Sequence, residues 1–242
     1  MREGYEGTGP GAIAPDGCAV EVLSRLPHGD EPDILAAAIP AGASLLDLGS
    51  GVGRITHPLL ERGFKVTAVD ESPEMLDRIR GARTVCSPIE TLDLDEKFDA
   101  VLLASFLVHA GDDEVLRGLL RTCSRHVADE GCVLIQREGE EDYFANAPRA
   151  HVDPRGFTTR IVSARPVADG FRQVRIEYEF PDGVWTRTLL SRPLSRQRFE
   201  EALGEAGLRV DRYLTADRVW VRAVKADAGS RHMPGDEDTT GQ

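Results

Sequence analysis

The chain has 242 residues, of which 29 are Lys or Arg and 41 are Asp or Glu, so its formal charge at pH 7 is -12. Tight electrostatic binding of nucleic acid is not expected, because phosphate binding requires a basic surface. With 41% apolar residues, the chain can form an ordinary globular core. The long apolar stretch at residues 98–108 contains a charge and is much shorter than the roughly 20 residues of a membrane helix, so no membrane segment is predicted.

The N-terminus lacks the basic start and apolar run of a secretory signal. The four cysteines include no CxxC pair and have no histidine at zinc-binding spacing. We therefore expect a cytoplasmic protein with reduced thiols and no metal site; its cysteines are Cys18, Cys86, Cys123 and Cys132.

Residues 1–30 begin with a polar lead rich in Gly and Pro, and continue into a short amphipathic helix at 18–26. Such a lead suits a lid that closes over a ligand, and a flexible terminus is the equal alternative. A second short helix is predicted at 31–39, where it ends at Pro40.

Apolar runs and helical patterns then alternate, which predicts an α/β domain formed by residues 31–138 and 195–226. Strands that are apolar on both faces and separated by helices form a parallel sheet covered on both sides. The predicted strands are 43–49, 64–69, 82–86, 98–105, 131–136, 208–214 and 219–224, and the predicted helices are 54–62, 72–80, 113–127 and 196–206.

The pattern changes in residues 139–194, which we predict to be an insertion. Segments 159–164, 171–180 and 184–191 alternate polar and apolar residues, and a PDG turn separates the last two. This pattern predicts a small antiparallel sheet. Residues 227–242 are polar and rich in Gly and acidic residues, and are predicted to be a disordered tail.

The sharpest local signal is LLDLGSGVGRIT at residues 45–56, at the first strand-to-helix junction. The dinucleotide pattern GxGxxG fails, because its last position falls on Arg54. The carboxylate of Asp47 would repel a pyrophosphate but attract a cation. Asp70 ends the second strand, 21 residues beyond Gly49, where an acid accepts hydrogen bonds from two ribose hydroxyls. A ribose on one side and an ammonium on the other fit S-adenosyl-L-methionine.

These motifs resemble those of the class I S-adenosylmethionine-dependent methyltransferases. The resemblance extends from about residue 31 to residue 226 and includes VTAVDESPEML, FDAVLLASFLVHA and GCVLIQ. It implies a Rossmann-like doubly wound sheet of seven strands in the order 3-2-1-4-5-7-6, with the last strand antiparallel and the inserted sheet as a roof over the pocket. Similar inserted sheets occur in glycine and sugar-amine N-methyltransferases and in small-molecule methyltransferases of secondary metabolism.

The implied reaction is methyl transfer to a small molecule, with S-adenosylhomocysteine as the product cofactor. N-methylation is expected, while O- or C-methylation, a protein methyltransferase and a non-catalytic cofactor-binding protein remain alternatives. A nucleic-acid methyltransferase is disfavoured, because SFLVHA occupies the place of the Asn/Asp-Pro-Pro-aromatic motif. A homodimer is expected, since an exposed antiparallel sheet offers a contact surface.

The resemblance assigns the cofactor to the ends of the first four strands. The third motif departs from the common Gly-Asp-Ala pattern, because Cys86, Ser87 and Pro88 occupy it, and Pro88 has no N–H to donate. The adenine contacts are therefore expected to shift to the residues after Pro88. The predicted cofactor-binding residues are Asp47, Gly49, Ser50, Gly51, Asp70, Glu71, Met75, Ser87, Ile89, Glu90 and Ser105.

Methyl transfer is an in-line displacement that alignment alone can accelerate strongly. A general base still helps when the acceptor must lose a proton, and His109, directly after the fourth strand, is the candidate. The alternative is that His109 packs against the next helix. The predicted acceptor-binding residues are Tyr5, His109, His151, Tyr178, Trp185 and Arg192, although the aromatic residues could instead pack the roof onto the domain.

Overall fold

The structure is a computed structural model that describes residues 1–139, 144 and 146–226. It contains two β-sheets. The predicted disordered tail at 227–242 lies outside the described residues. In chain order the helices and strands are β1 (Glu6–Thr8), α1 (Val20–Leu23), α2 (Glu31–Ala38), β2 (Ser44–Leu48), α3 (Thr56–Glu61), β3 (Lys65–Asp70), α4 (Pro73–Leu76), β4 (Arg83–Cys86), β5 (Phe98–Leu103), α5 (Asp113–His126), β6 (Val127–Gln136), β7 (Arg149–Asp153), β8 (Phe157–Pro166), β9 (Arg172–Phe180), β10 (Gly183–Ser191), α6 (Arg196–Glu205), β11 (Leu208–Tyr213) and β12 (Trp220–Lys225).

The larger sheet has seven strands in the order β4-β3-β2-β5-β6-β12-β11. Neighbouring strands from β4 to β6 run parallel, and β12 is antiparallel to both β6 and β11. Numbered by their order within this sheet, the strands read 3-2-1-4-5-7-6. The predicted Rossmann-like topology, including the antiparallel last strand, is confirmed.

Helices cover both faces of this sheet. On one face, apolar residues of α5 and α6, including Leu120 and Phe199, pack against buried positions of β2, β5 and β6. On the other face, Leu35 of α2 and Leu59 of α3 lie over Leu45 and its neighbours. Full burial of one such Leu or Phe side chain contributes about 1.5–3 kcal/mol, so these two layers hold the strand ends in fixed positions.

Two predicted helices are less than half as long as expected. The helix predicted at 18–26 is reduced to Val20–Leu23, and the one predicted at 72–80 is reduced to Pro73–Leu76. Beyond each helix the chain continues in tighter turns with i to i+3 hydrogen bonds, such as those from Arg25 N–H to Val22 O and from Ile79 N–H to Leu76 O. Ser72 caps its helix as its position predicts, accepting a hydrogen bond from Met75 N–H at 3.3 Å.

The smaller sheet has five antiparallel strands in the order β1-β10-β9-β8-β7, and we call it the roof. The three segments predicted in residues 139–194 form β8, β9 and β10. Two further strands were not predicted: β7 pairs with β8, and β1 of the N-terminal segment pairs with β10. The roof therefore includes a strand from residues 1–30, a segment predicted to be separate from it. No helix in the described part of the chain is long and apolar enough to span a bilayer.

Candidate active site

A cavity of about 630 Å³ lies between the carboxyl ends of the parallel strands and the roof. Alternate residues of the roof strands face it, because successive side chains of a strand point to opposite faces. Phe157, Ile161, Ile176 and Leu189 give this face an apolar centre. The cavity is thus bounded on one side by loops of the large sheet and on the other by a mostly apolar wall.

The glycine loop after β2 forms one end of the cavity. The backbone N–H groups of Gly49 and Ser50 both donate to Val69 O at 2.9 Å, which folds the loop against β3. Gly49 has a φ of +71°, and a Cβ added there would lie 2.7 Å from Leu107 Cδ1. Only glycine fits this turn without displacing its neighbours.

Asp47 is buried at the end of β2, with 3% of its surface exposed. Its Oδ2 accepts a hydrogen bond from Thr56 Oγ1 at 2.6 Å, and burial raises the pKa of its carboxyl to about 6. Asp47 and Ser50 line a small cleft of about 50 Å³ that shares Gly49, Gly51 and Ser105 with the main cavity. A cation in this cleft would offset the cost of burying the carboxylate.

Asp70 lies beside the same loop, at the end of β3. Its Oδ2 accepts the N–H of Gly51 at 2.9 Å and its Oδ1 accepts the N–H of Ser72 at 2.9 Å. Burial is the main cause of the raised pKa of this carboxyl. Each oxygen still has a second lone pair, so Asp70 can accept further hydrogen bonds from a ligand in the cavity.

The remaining predicted cofactor residues line the cavity together: Glu71, Met75, Ser87, Ile89, Glu90 and Ser105. Sequence reasoning missed the residue that joins two of them, Arg2. Its Nε donates to Glu71 Oε1 at 2.8 Å and its Nη1 to Glu90 Oε1 at 2.7 Å, so the guanidinium bridges the loops after β3 and β4. The sequence does distinguish Arg2 from its surroundings, because it is the one basic residue before Arg25.

The geometry of His109 does not support the predicted role as a general base. Its Nδ1 lies 2.8 Å from Arg192 O, and its Nε2 lies 2.9 Å from the backbone N of Glu138. Nε2 must accept the Glu138 N–H, so Nδ1 carries the proton and donates it to Arg192 O. No ring nitrogen then has a free lone pair, and burial lowers the pKa of His109 to about 4. His109 lines the cavity as a structural link between β6 and the end of the roof.

Three of the other predicted acceptor residues, Tyr5, His151 and Tyr178, line the cavity, and two do not. The indole of Trp185 is 2% exposed and packs edge-to-face on Phe180, with its Nε1–H donating to Pro10 O at 2.7 Å. The guanidinium of Arg192 forms an ion pair with Asp113 at 2.5 Å. Trp185 and Arg192 therefore connect parts of the protein and do not form the cavity wall.

The cavity also has polar wall residues that were not predicted as site residues. Arg187 of β10 pairs with Asp16 of the N-terminal segment at 2.8 Å. Asp153, at the end of β7, and Glu138, just after β6, are buried carboxylates on the same wall. Their spacing along the chain is too irregular to distinguish them from surface acids in a sequence that contains 41 of them.

Comparisons with known proteins agree with this geometry. Residues 46–135 match the family model of a methyltransferase domain. Over 94 residues the chain is 43% identical to an uncharacterized methyltransferase of Mycobacterium tuberculosis, covering 36% of this chain and 39% of the relative. The chain thus spans about two fifths of that relative's length.

Solved structures extend the likeness to most of the chain. The sugar N-methyltransferase KedS8 of a Streptoalloteichus species aligns with a TM-score of 0.69 at 18% identity, covering 91% of this chain and 98% of that one. A methyltransferase of Clostridium acetobutylicum aligns with a TM-score of 0.69 at 16% identity, covering 85% and 95%. At these identities the likeness shows the fold. Residues 46–135 are therefore similar to a methyltransferase domain, and the described chain shares the fold of these S-adenosylmethionine-dependent and sugar N-methyltransferase structures.

Proposed function

We propose that this protein transfers a methyl group from S-adenosylmethionine to an amine of a small-molecule acceptor. The observation that carries the proposal is the placement of Asp47 and Asp70 on either side of the glycine loop, at the end of a roofed cavity. The methyltransferase domain match to residues 46–135 contains all of these residues.

The residues present fit this cofactor. The buried carboxylate of Asp47 suits the cationic methionine end, and Asp70 suits the ribose hydroxyls. The adenine would then be surrounded by other residues of the cavity, namely Glu71, Ser87, Ile89 and Glu90, with the buried Met75 beside them. When bound, S-adenosylmethionine supplies a methyl group on a sulfonium, which a nucleophile displaces in line.

The contribution of the protein is to align the acceptor and exclude water. The roof and the N-terminal segment cover the strand ends, and such alignment is worth about 7–11 kcal/mol in well-oriented reactions. An amine is the proposed nucleophile because the carboxylates of Glu138 and Asp153 can accept hydrogen bonds from it. The fold likeness to a sugar N-methyltransferase agrees with this choice.

We also propose that the protein acts in the cytoplasm, on small molecules and not on nucleic acid. Its described cysteines, Cys18, Cys86, Cys123 and Cys132, are all free thiols. The division into an N-terminal lid at 1–30, a cofactor domain at 31–138 and 195–226, and a roof insertion at 139–194 is part of the proposal.

Calorimetric titration with S-adenosylhomocysteine tests the cofactor assignment. Asp70→Ala should weaken binding about 10- to 150-fold, corresponding to the roughly 1.5–3 kcal/mol of hydrogen bonds to a charged group. Asp95→Ala, at an exposed position far from the glycine loop, should leave the affinity unchanged. If wild-type protein does not bind S-adenosylhomocysteine, or if Asp70→Ala binds it equally well, the proposed function is wrong.

A mass-spectrometric screen of small amines, phenols and carbon nucleophiles with S-adenosylmethionine tests the choice of acceptor atom. Methylated amines are expected. If only phenols are methylated, the protein is an O-methyltransferase. If the protein binds the cofactor but forms no methylated product, a non-catalytic binding protein is favoured.

A further inference from the structure

Arg187 is one of the charged residues on the cavity face of the roof, which also includes Arg149 and Asp153. It lies opposite Ile176 in the β9–β10 pairing and opposite Gly7 in the β1–β10 pairing. It lines the cavity, and 23% of its side chain is exposed. The paired strands on both sides fix its backbone, and the ion pair with Asp16 holds its guanidinium.

One edge of this guanidinium is occupied by Asp16. Nε donates to Asp16 O at 3.2 Å and Nη2 donates to Asp16 Oδ2 at 2.8 Å. Nη1 makes no hydrogen bond to any residue that the structure describes, and it is not among the fully buried unpaired nitrogens. The second edge therefore offers accessible N–H donors to the cavity.

The surroundings of this edge define what could bind to it. Ile161, Ile176 and Leu189 lie on the same concave face and offer contacts to an apolar group. The planar guanidinium fork matches a carboxylate, which can accept two parallel N–H bonds. A doubly charged phosphate is less suitable, because the acids Asp16 and Asp70 face the same part of the cavity.

We propose that the methyl acceptor carries a carboxylate that binds the second edge of Arg187, with an apolar body against Ile161, Ile176 and Leu189. This inference rests on the proposed function and adds the substrate class, an amine that also bears a carboxylate. It gives Arg187 the place of Arg192, a predicted acceptor-binding residue that pairs with Asp113. Arg187 is then a specificity-determining residue.

Ligand-observed NMR on protein saturated with S-adenosylhomocysteine provides the test. The probes are phenylacetate and its uncharged analogue phenylacetamide, which share the apolar ring. Wild-type protein should bind the carboxylate about tenfold or more tightly than the amide, as expected for charge-assisted hydrogen bonds. Arg187→Gln should remove this preference, and Arg165→Gln, at an exposed position in β8, should retain it.

A purely structural role, in which Arg187 only holds Asp16, would lower stability or cofactor affinity without changing the carboxylate-to-amide ratio. The proposal is overturned if wild-type protein binds both probes equally or neither, or if the ratio survives in Arg187→Gln. Should that variant fail to fold, a crystal structure of the wild-type complex with phenylacetate decides, and a carboxylate bound away from Arg187 contradicts the inference. Because cofactor binding is measured first, a failure here leaves the proposed function intact.

Discussion

The imidazole of His109 holds together three parts of the cavity wall. It follows β5, accepts a hydrogen bond from Glu138 N–H after β6, and donates to Arg192 O after β10; the Arg192 N–H in turn donates to His109 O at 2.9 Å. Only the neutral ring can do this, because an imidazolium has no lone pair to accept the Glu138 N–H. Protonation should therefore weaken the link between the large sheet and the roof.

This link makes stability depend on pH in a defined direction. The pKa of His109 is about 4 in the folded protein and 6.5 ordinarily, so between these values the unfolded chain binds more protons and stability falls as pH falls. From pH 7 to pH 5, wild-type protein should lose about 2 kcal/mol of unfolding free energy through this group. Urea titrations of wild-type and His109→Gln at both pH values measure the difference.

His28→Gln, at an exposed histidine, serves as the control and should retain the wild-type pH dependence. Nitrogen NMR should show Nδ1 protonated and Nε2 unprotonated at pH 6. Titration of His109 near its ordinary pKa, or equal pH dependence in wild-type and His109→Gln, would contradict the structural role.

Residues whose position depends on local chain geometry were predictable. Asp47, Gly49 and Asp70 end strands or form the adjacent turn, so a short sequence pattern places them at the cavity. The prediction that Trp185 and Arg192 bind the acceptor was wrong, because their partners, Pro10 and Asp113, are far away in the sequence. Arg2 was missed for the same reason, since it meets Glu71 and Glu90 only after the chain has folded.

At the scale of whole elements, the N-terminal segment connects the two halves of the site. It joins the roof through β1 and the Thr8–Thr186 hydroxyl contact at 2.7 Å, and it joins the cofactor side through Arg2. Neither β1 nor β7 was predicted, because three residues are too few for a period of two and RAHVD is mostly polar. The long strands of the large sheet were predictable because burial on both faces makes them continuously apolar.

The bridge from Arg2 to Glu71 and Glu90 should slow the release of the cofactor. Arg2→Gln removes two partly exposed ion pairs, each worth up to about 1 kcal/mol, so S-adenosylhomocysteine should dissociate about threefold to tenfold faster. Stopped-flow fluorescence measures this rate. Arg83→Gln, which removes an exposed ion pair with Glu96, is the matched control and should leave the rate unchanged.

The same bridge makes the proposed lid testable by proteolysis. Saturating S-adenosylmethionine should protect the chain near Tyr5 in wild-type protein and protect it less in Arg2→Gln. Unchanged cleavage on adding cofactor, together with an unchanged dissociation rate, would show that the N-terminal segment is not a lid.

For the molecule as a whole, net charge and the open edge of the roof act in opposite directions on self-association. A charge of -12 per chain makes two copies repel each other. Strand β7 lies at one edge of the roof in the part of the chain that the structure describes, and Val152 on this strand is 70% exposed. Such an edge can pair with another strand, so we expect the homodimer contact to form there.

Because salt screens repulsion between exposed charges, the homodimer should become more abundant as NaCl rises from about 0.05 M to about 0.5 M. Val152→Asp, which adds a charge at the pairing edge, should shift the protein to monomer at both salt concentrations. Val184→Asp, at another exposed valine in β10, should not. Light scattering after size-exclusion chromatography measures the mass. A monomer at every salt concentration would rule out the homodimer. If Val152→Asp forms a dimer as stable as that of wild type, the contact lies elsewhere.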